Sequence, residues 1–244
     1  MLTRLSWRLG VVSAVTGLLT LSSGCAPSAA PAAGPSAGRP GAAASVTAPS
    51  SEPGQGGEHT VGCDYRRAGE PARPVDPPPA TAPATGTTAV TLSFAVGDVT
   101  ITVDRAQAPC TVNSFESLAT QGFYTGTRCH RLADNGLFML QCGDPTGTGG
   151  GGPGYTFADE VDPKADYPAG TVAMANAGPD TNGSQFFLVY QDSPLPAAYT
   201  VFGHLDDAST AVVGRIAAEG QDGSWGDGTG RPNNLAAITA VRLG

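Results

Sequence analysis

The sequence predicts a mainly β fold, a closed antiparallel barrel with an α-helix covering each end. Three observations carry this. Short stretches alternating apolar with polar residues recur from residue 90 to the end of the chain, and Gly-, Asp- and Asn-bearing turns separate them. Only two segments instead repeat apolar residues at spacings of three and four. Many short strands with two helices are the pattern of a sheet curled around one core.

Taken in order, Val90, Leu92 and Phe94 alternate with small or polar residues, as a half-buried strand requires. Gly97-Asp98 marks a tight turn, and residues 99–103 repeat the alternation, giving a β-hairpin. Pro109 opens a helix, where its missing N–H costs nothing. Val112, Phe115, Leu118 and Ala119 form its apolar face and Gly122 ends it. Further strands are expected at 126–132, 137–142, 171–176, 185–190 and 201–204. A second helix is expected over 206–219, with Ala211, Val212, Ile216 and Ala217 facing inward and Gly220 as its stop, followed by a closing strand at 237–243. There is no internal repeat.

The globular domain is expected over 87–244, with a different kind of sequence before it. Arg4 and Arg8 precede an apolar run at 9–21, too short to cross a bilayer, which needs about 20 apolar residues. A positive flank, a short apolar stretch and small residues read as a secretory signal over 1–24. The run ends Leu21-Ser22-Ser23-Gly24-Cys25, which resembles the lipobox of bacterial lipoproteins, with Ser22 where that pattern prefers Leu, Val or Ile. Cys25 is therefore the expected lipidation site, and the protein is expected to be exported and anchored to the outer face of the bacterial cell membrane. The competing reading is an ordinary cleaved signal. One acyl chain holds a protein only weakly; the diacylglyceryl group of such lipoproteins meets the need for more. Residues 26–57 are Ala, Pro, Gly and Ser with almost no large apolar side chain, so they are expected to form a disordered tether. Fully extended, it would reach on the order of 100 Å at ~3.1 Å per residue. A Pro-rich lead-in at 58–86 contains Cys63 and Tyr65, read as a patch lying on the domain.

With Cys25 set aside, Cys63, Cys110, Cys129 and Cys142 are an even set in an exported chain, which points to two disulfides, with buried free thiols as the alternative. There is no Cys-x-x-Cys and no His-Glu-x-x-His, so neither a redox motif nor a metal site is expected. The formal net charge of −8 argues against nucleic acid as a partner, since phosphate binding needs a basic face. Residues 147–152 match Gly-x-Gly-x-x-Gly, but Pro153-Gly154 follows and forbids the helix a nucleotide site requires, which leaves a flexible surface loop. Ser184 sits in Asn-Gly-Ser-Gln rather than a hydrolase elbow, and nothing in the pattern ties His130 to it. Arg131 stands among apolar residues, where an arginine is costly to bury unless paired or used; by the residues alone, an arginine reaching outward to solvent is the favoured reading.

His130-Arg131, then Phe138-Met139-x-Gln141-x-Gly143-Asp144, resembles the His-Arg … Phe-Met-x-Gln-Gly-Gly-Asp block of the cyclophilins. Gly147 to Gly150, with Tyr155-x-Phe157-x-Asp159-Glu160, is similar to their next loop. Residues 174–187, Met-Ala-Asn-Ala-Gly-Pro-x-Thr-Asn-Gly-Ser-Gln-Phe-Phe, match their longest signature almost without change, and Val201-Phe202-Gly203 continues it. The resemblance covers residues 90–243 in the family's order. It implies an eight-stranded barrel and a peptidyl-prolyl cis/trans isomerase acting on Xaa-Pro bonds of exported proteins, with no cofactor, metal or covalent intermediate.

By that resemblance Arg131 is the catalytic residue. A proline ring is received by Phe138, Met139, Phe187 and Leu195, Gln141 orients Arg131, and Gln185 is a further contact. Asn176 holds the extended peptide through its backbone between Ala175 and Ala177, and Tyr199 stands at the rim where a histidine is common. Partners are proline-containing polypeptides, and the protein is expected to be a monomer. The alternative from another class is a non-catalytic proline-peptide binding module or chaperone on the same scaffold. Pro194 replaces a tryptophan that contacts cyclosporin in many members, so weakened cyclosporin binding is expected. The turn before Phe138 is about two residues longer than is common in the family. A symmetric turn at Asn135-Gly136 sets Cys129 opposite Cys142 but sends Arg131 and Gln141 to opposite faces. Only a bulge or a wider loop reconciles that disulfide with the site.

Overall fold

A computed structural model describes residues 59–244; the expected signal, Cys25 and the whole of the tether lie outside the described residues. The lead-in holds three short strands, β1 (Thr60–Gly62), β2 (Arg66–Arg67) and β3 (Thr81–Pro83). The first long hairpin follows as β4 (Thr87–Phe94) and β5 (Gly97–Asp104), then helix α1 (Pro109–Thr120). Next come β6 (Thr127–Arg128), β7 (Arg131–Asp134), β8 (Phe138–Cys142) and β9 (Tyr155–Thr156). After β10 (Thr171–Met174), β11 (Phe186–Val189) and β12 (Val201–Leu205), helix α2 (Asp207–Ala217) leads to β13 (Ala237–Ile238) and β14 (Ala240–Leu243).

Eight strands form one antiparallel sheet in the order β14-β4-β5-β12-β10-β11-β8-β7. The expected closed barrel is corrected to an open, curled one, because β7 and β14 do not pair with each other. The two-residue ladder β6–β13 spans the gap instead. Cys129 and His130 separate β6 from β7, and Thr239, whose N–H and hydroxyl both donate to Ser93 O, separates β13 from β14. These interruptions keep the closing pairs out of line with the main ladder. The free edge of β7 is not left bare: Leu132 exchanges backbone hydrogen bonds with Gly230, at 2.7 and 3.1 Å, which lays the loop 221–231 along that edge.

On the strands the inward set is what the alternation predicts, whereas in α2 Ala211, expected to face inward, is exposed and Val213 is buried instead. Val90, Leu92, Val99, Ile101 and Val103 are fully buried, and Phe115 of α1 packs against Tyr124, Phe186 and Phe202. Helix α1 lies against β5 and β14, and α2 against β5 and β12. Asp206 caps α2 by accepting from Ser209 N at 2.7 Å. Strand β11 is buried on both faces. Phe186 and Leu188 join the main core, whereas Phe187 and Val189 join a second cluster with Met139, Ala173 and Tyr167. That second cluster, on the outer side of the sheet, floors the site.

Two disulfides are present, Cys63–Cys110 and Cys129–Cys142. The first ties the lead-in to α1. The second coexists with a ladder that pairs Arg131 with Gln141. The loop between Asp134 and Phe138 has three residues, with Gly136 at φ +73°, a backbone that glycine adopts without strain. His130 N–H also donates to Gln141 O at 3.0 Å, so His130 and Arg131 both oppose Gln141 as in a β-bulge. The extra residue brings Cys129 to Cys142 while keeping Arg131 and Gln141 together. Among the described residues, no helix is long and apolar enough to cross a membrane.

Candidate functional site

Arg131 opens β7 and lies between two adjoining depressions. The smaller, about 170 Å³, is lined by Leu137, Met139, Phe187, Leu195 and Tyr199, with Arg131, Gln141, Ala175 and Asn176 at its mouth. The larger, about 600 Å³, shares those last four and continues past Ala177 and Gln185 to the glycine-rich loop and the lead-in. Strand periodicity explains the smaller one. Leu137, Met139 and Gln141 project to the same side of β8, and Phe187 presents the outer face of β11. Phe187 and Tyr199 meet edge to face at 5.5 Å.

The same periodicity removes one expected residue. Phe138 does not line the small depression; alternation along β8 turns it to the other side, where it packs edge-on against Tyr190 at 5.9 Å. Leu137, just before the strand, takes its place. The remaining expected residues are brought together. Gln141 donates from Nε2 to Gln185 Oε1 at 2.8 Å, and Gln185 Nε2 donates to Gly149 O and Gly151 O at 2.8 and 2.9 Å. Asn176 donates from Nδ2 to Ala198 O at 2.9 Å. Its neighbours' backbone N–H groups are used, Ala175 N to Gln185 O and Ala177 N to Thr181 Oγ1, whereas the backbone N–H and C=O of Asn176 have no partner within the protein among the described residues. An extended chain crossing both depressions meets this open backbone pair.

Three residues of the loop 221–231, none anticipated from the sequence, hold Arg131. Its Nε donates to Thr229 Oγ1 at 2.8 Å, its Nη2 to Asp227 Oδ2 at 2.6 Å, and its guanidinium lies 5.7 Å from the Trp225 ring centre. Asp227 also accepts from the Thr229 hydroxyl and backbone N–H, at 2.6 and 3.1 Å. The Thr229 hydroxyl first, and the Arg131 charge in addition, hold the Asp227 carboxyl below the usual carboxylate range. The guanidinium is thus fixed on one side, leaving Nη1 without a protein partner among the described residues. The only sequence signal for this loop is its turn-rich composition, which names no partner.

Beside Arg131, His130 is 3% exposed and neither ring nitrogen has a hydrogen-bond partner among the described residues. Burial lowers its pKa, against the pull of Asp144, so the ring adds no second cation next to Arg131. The glycine-rich loop, expected to be flexible, is instead tied to Asp144. That buried carboxylate accepts from Thr146 N and Oγ1, Thr148 N and Gly149 N at 2.7, 2.7, 3.0 and 2.7 Å. Burial opposes its ionisation, but these bonds outweigh it and keep the carboxyl below its ordinary range. Ser184 Oγ is spent on Gly143 O at 2.7 Å, which fits no nucleophile.

Residues 89–242 match the family model described as cyclophilin type peptidyl-prolyl cis-trans isomerase/CLD. A Mycobacterium leprae protein named probable peptidyl-prolyl cis-trans isomerase B is 46% identical over 199 residues, covering 75% of this chain and 67% of its own length. The Mycobacterium tuberculosis protein of the same name is 49% identical over 160 residues, covering 60% of this chain and 51% of its own. The chain thus spans between half and two-thirds of these relatives. Among solved structures, a Cryptosporidium parvum cyclophilin type peptidyl-prolyl cis-trans isomerase superposes with a TM-score of 0.58 at 31% identity, covering 65% of this chain and 98% of its own. A structure of that protein in the presence of the dipeptide Ala-Pro gives a TM-score of 0.57 at 32% identity, covering 64% and 98%.

Proposed function

Because the chain belongs to the cyclophilin-type peptidyl-prolyl cis-trans isomerases, we infer that it accelerates Xaa-Pro rotation in exported polypeptides, with Arg131 as the catalytic residue. Rotation must break amide resonance, against a barrier of about 18–20 kcal/mol. The two isomers at Xaa-Pro lie close in energy, so only the rate needs help. In the twisted state the proline nitrogen becomes pyramidal and its lone pair accepts a hydrogen bond. A fixed N–H donor beside it stabilises that state above the planar ones, which is the condition for catalysis.

The observation that carries this reading is the position of Arg131 at the mouth of an apolar depression of proline character, oriented on one side and free on the other. The ring enters against Met139, Phe187 and Leu195. The chain on either side lies extended, its backbone meeting Asn176 between Ala175 and Ala177, and Gln141 and Gln185 steady the Arg131 side. Nη1 then faces the proline nitrogen. The Cryptosporidium relative studied with Ala-Pro supports the choice of ligand class. The proposal of export and anchoring is supported by Arg4, Arg8, the apolar run 9–21 and Cys25, and on it the protein works at the outer face of the bacterial cell membrane. We take the working unit to be a monomer.

The test is NMR exchange on an Ala-Pro peptide with the full chain and with Arg131→Ala. Acceleration that falls at least about a hundredfold in the variant is expected for loss of a preorganised donor. A folded wild-type protein that binds the peptide without accelerating exchange would replace the enzyme by a binding module.

A further inference from the structure

The lead-in lies outside the residues matched by the family, yet it walls part of the large cleft. It is fastened at three points. Cys63 is bonded to Cys110 of α1 at one end. At the other, Arg73 Nη1 donates to the carbonyls of Gly122, Phe123 and Thr125, at 2.8, 3.1 and 2.8 Å, closing the turn after α1. Between them β2 pairs with β9, and the ladder runs on as Ala68 N to Gly154 O at 2.9 Å and Ala72 N to Gly152 O at 2.8 Å. Gly154 sits at φ +80°, and a Cβ there would meet the Pro71 ring at 3.0 Å, so the two segments are in intimate contact. Residues 68–70 are held between those two hydrogen bonds and face the cleft.

Glu70 is the only carboxylate lining the cleft among the described residues. The cation there, Arg131, is already matched by Asp227. Among the described residues Glu70 itself is held only by Arg67, at 2.8 Å and three residues away, with both side chains more than four-fifths exposed. Such a pair is weak and exchanges readily with a competing cation. Around Glu70 this part of the cleft is lined by Gly152, Gly154, Tyr155 and Thr156, uncharged groups in a depression of about 600 Å³ that has room for a long side chain.

We propose that residues 68–70 form an added subsite of the substrate cleft, in which Glu70 takes the ammonium or guanidinium of a lysine or arginine flanking the proline. This rests on the isomerase reading for the position of the proline, and it assigns the lead-in a role in substrate choice. Substrates with a basic residue near the isomerising bond are preferred over neutral ones of equal length.

The test compares Ala-Pro peptides carrying lysine, or its uncharged isostere norleucine, at each flanking position in turn, by affinity in NMR titration and by exchange rate. At one position the lysine peptide is expected to be favoured about two- to fivefold, the range of an exposed ion pair, and the preference is expected to vanish near 1 M salt. Glu70→Gln should bring the ratio to one. Arg67→Gln should raise it, by freeing Glu70. Both residues are exposed, so neither change threatens the fold. A ratio of one in the wild type, or a preference that survives Glu70→Gln, overturns the proposal. Absence of acceleration with an intact affinity ratio would count against the isomerase reading alone.

Discussion

Asp227→Asn tests whether the loop 221–231 belongs to the catalytic device. The change keeps the shape of the side chain and an acceptor oxygen toward Arg131 Nη2, but removes the charge from a 2.6 Å contact. Two effects oppose each other. Losing the carboxylate makes Arg131 a stronger cation for the proline lone pair, and it also loosens the guanidinium. The lone pair is a neutral acceptor, so the first gain is small. The second loss acts on the angle of the one donor that matters. The pair is partly exposed, 27% at Arg131 and 50% at Asp227, and Thr229 and Trp225 still hold the group. The expected loss in kcat is therefore about two- to fivefold, the scale of a solvent-screened ion pair, with little change in KM. Saturating NMR exchange measurements on an Ala-Pro peptide give both constants. In an Arg131→Ala background the same change should have no further effect, because its action runs through Arg131. An Asp227→Asn enzyme as fast as wild type, or a loss that persists without Arg131, would refute the reasoning.

Leu137→Ala should raise KM several-fold by widening the small depression, whereas Phe138→Ala should leave KM unchanged and cost stability through its contact with Tyr190; peptide titrations and urea melts separate the two. Replacing Cys63 and Cys110 by alanine should cost about 4 kcal/mol of unfolding free energy and replacing Cys129 and Cys142 about 3, from chain entropy over separations of 47 and 13 residues. The reverse order in denaturant unfolding would rule that mechanism out. Stability should also fall in acid in two stages. His130 is kept neutral by burial, so the unfolded chain binds a proton near pH 6.5 that the folded one refuses, and stability present above that pH is lost as it drops below. Asp144, with a lowered folded pKa, adds its loss only further down, as pH falls through that value. Urea unfolding across pH 3 to 8 should therefore show the first decline, and His130→Phe should abolish it.

The fold was legible wherever one face of an element is buried and the other is not. The hairpin β4–β5 and both helices announce themselves because a period of two or of 3.6 is imposed by a single core. The lead-in strands β1, β2 and β3 were not legible. Their sequence is proline-rich and they are held by one-off bonds, such as Tyr65 O–H to Cys110 O at 2.8 Å and Asn113 Nδ2 to Pro79 O at 2.8 Å, that leave no period. Closure of the barrel is not legible for a related reason. Composition and strand count indicate curling, but whether the last pair aligns depends on single residues such as His130 and Thr239.

For the site, a motif fixes which positions matter and not which way they point. Met139, Gln141, Phe187 and Arg131 converge because the ladder pairs Arg131 with Gln141 and Phe187 with Gln141. Phe138 belongs to the same motif, yet period two sends it away from the depression that receives its neighbours on either side. The register itself hangs on a bulge at His130 that lets a disulfide and an aligned Arg131–Gln141 pair coexist, and bulges have no sequence period to betray them. Asp227 and Thr229 were out of reach for a simpler reason. They meet Arg131 from 96 and 98 residues away, through a loop whose glycines and aspartates look like any surface turn. What brings them there is the unpaired edge of β7. Leu132 needs a backbone partner, Gly230 supplies it, and the residues just before Gly230 are thereby delivered to the guanidinium one position before Leu132. The edge that the open barrel leaves free at β7 and the fixing of Arg131 are thus linked through the same pair of hydrogen bonds.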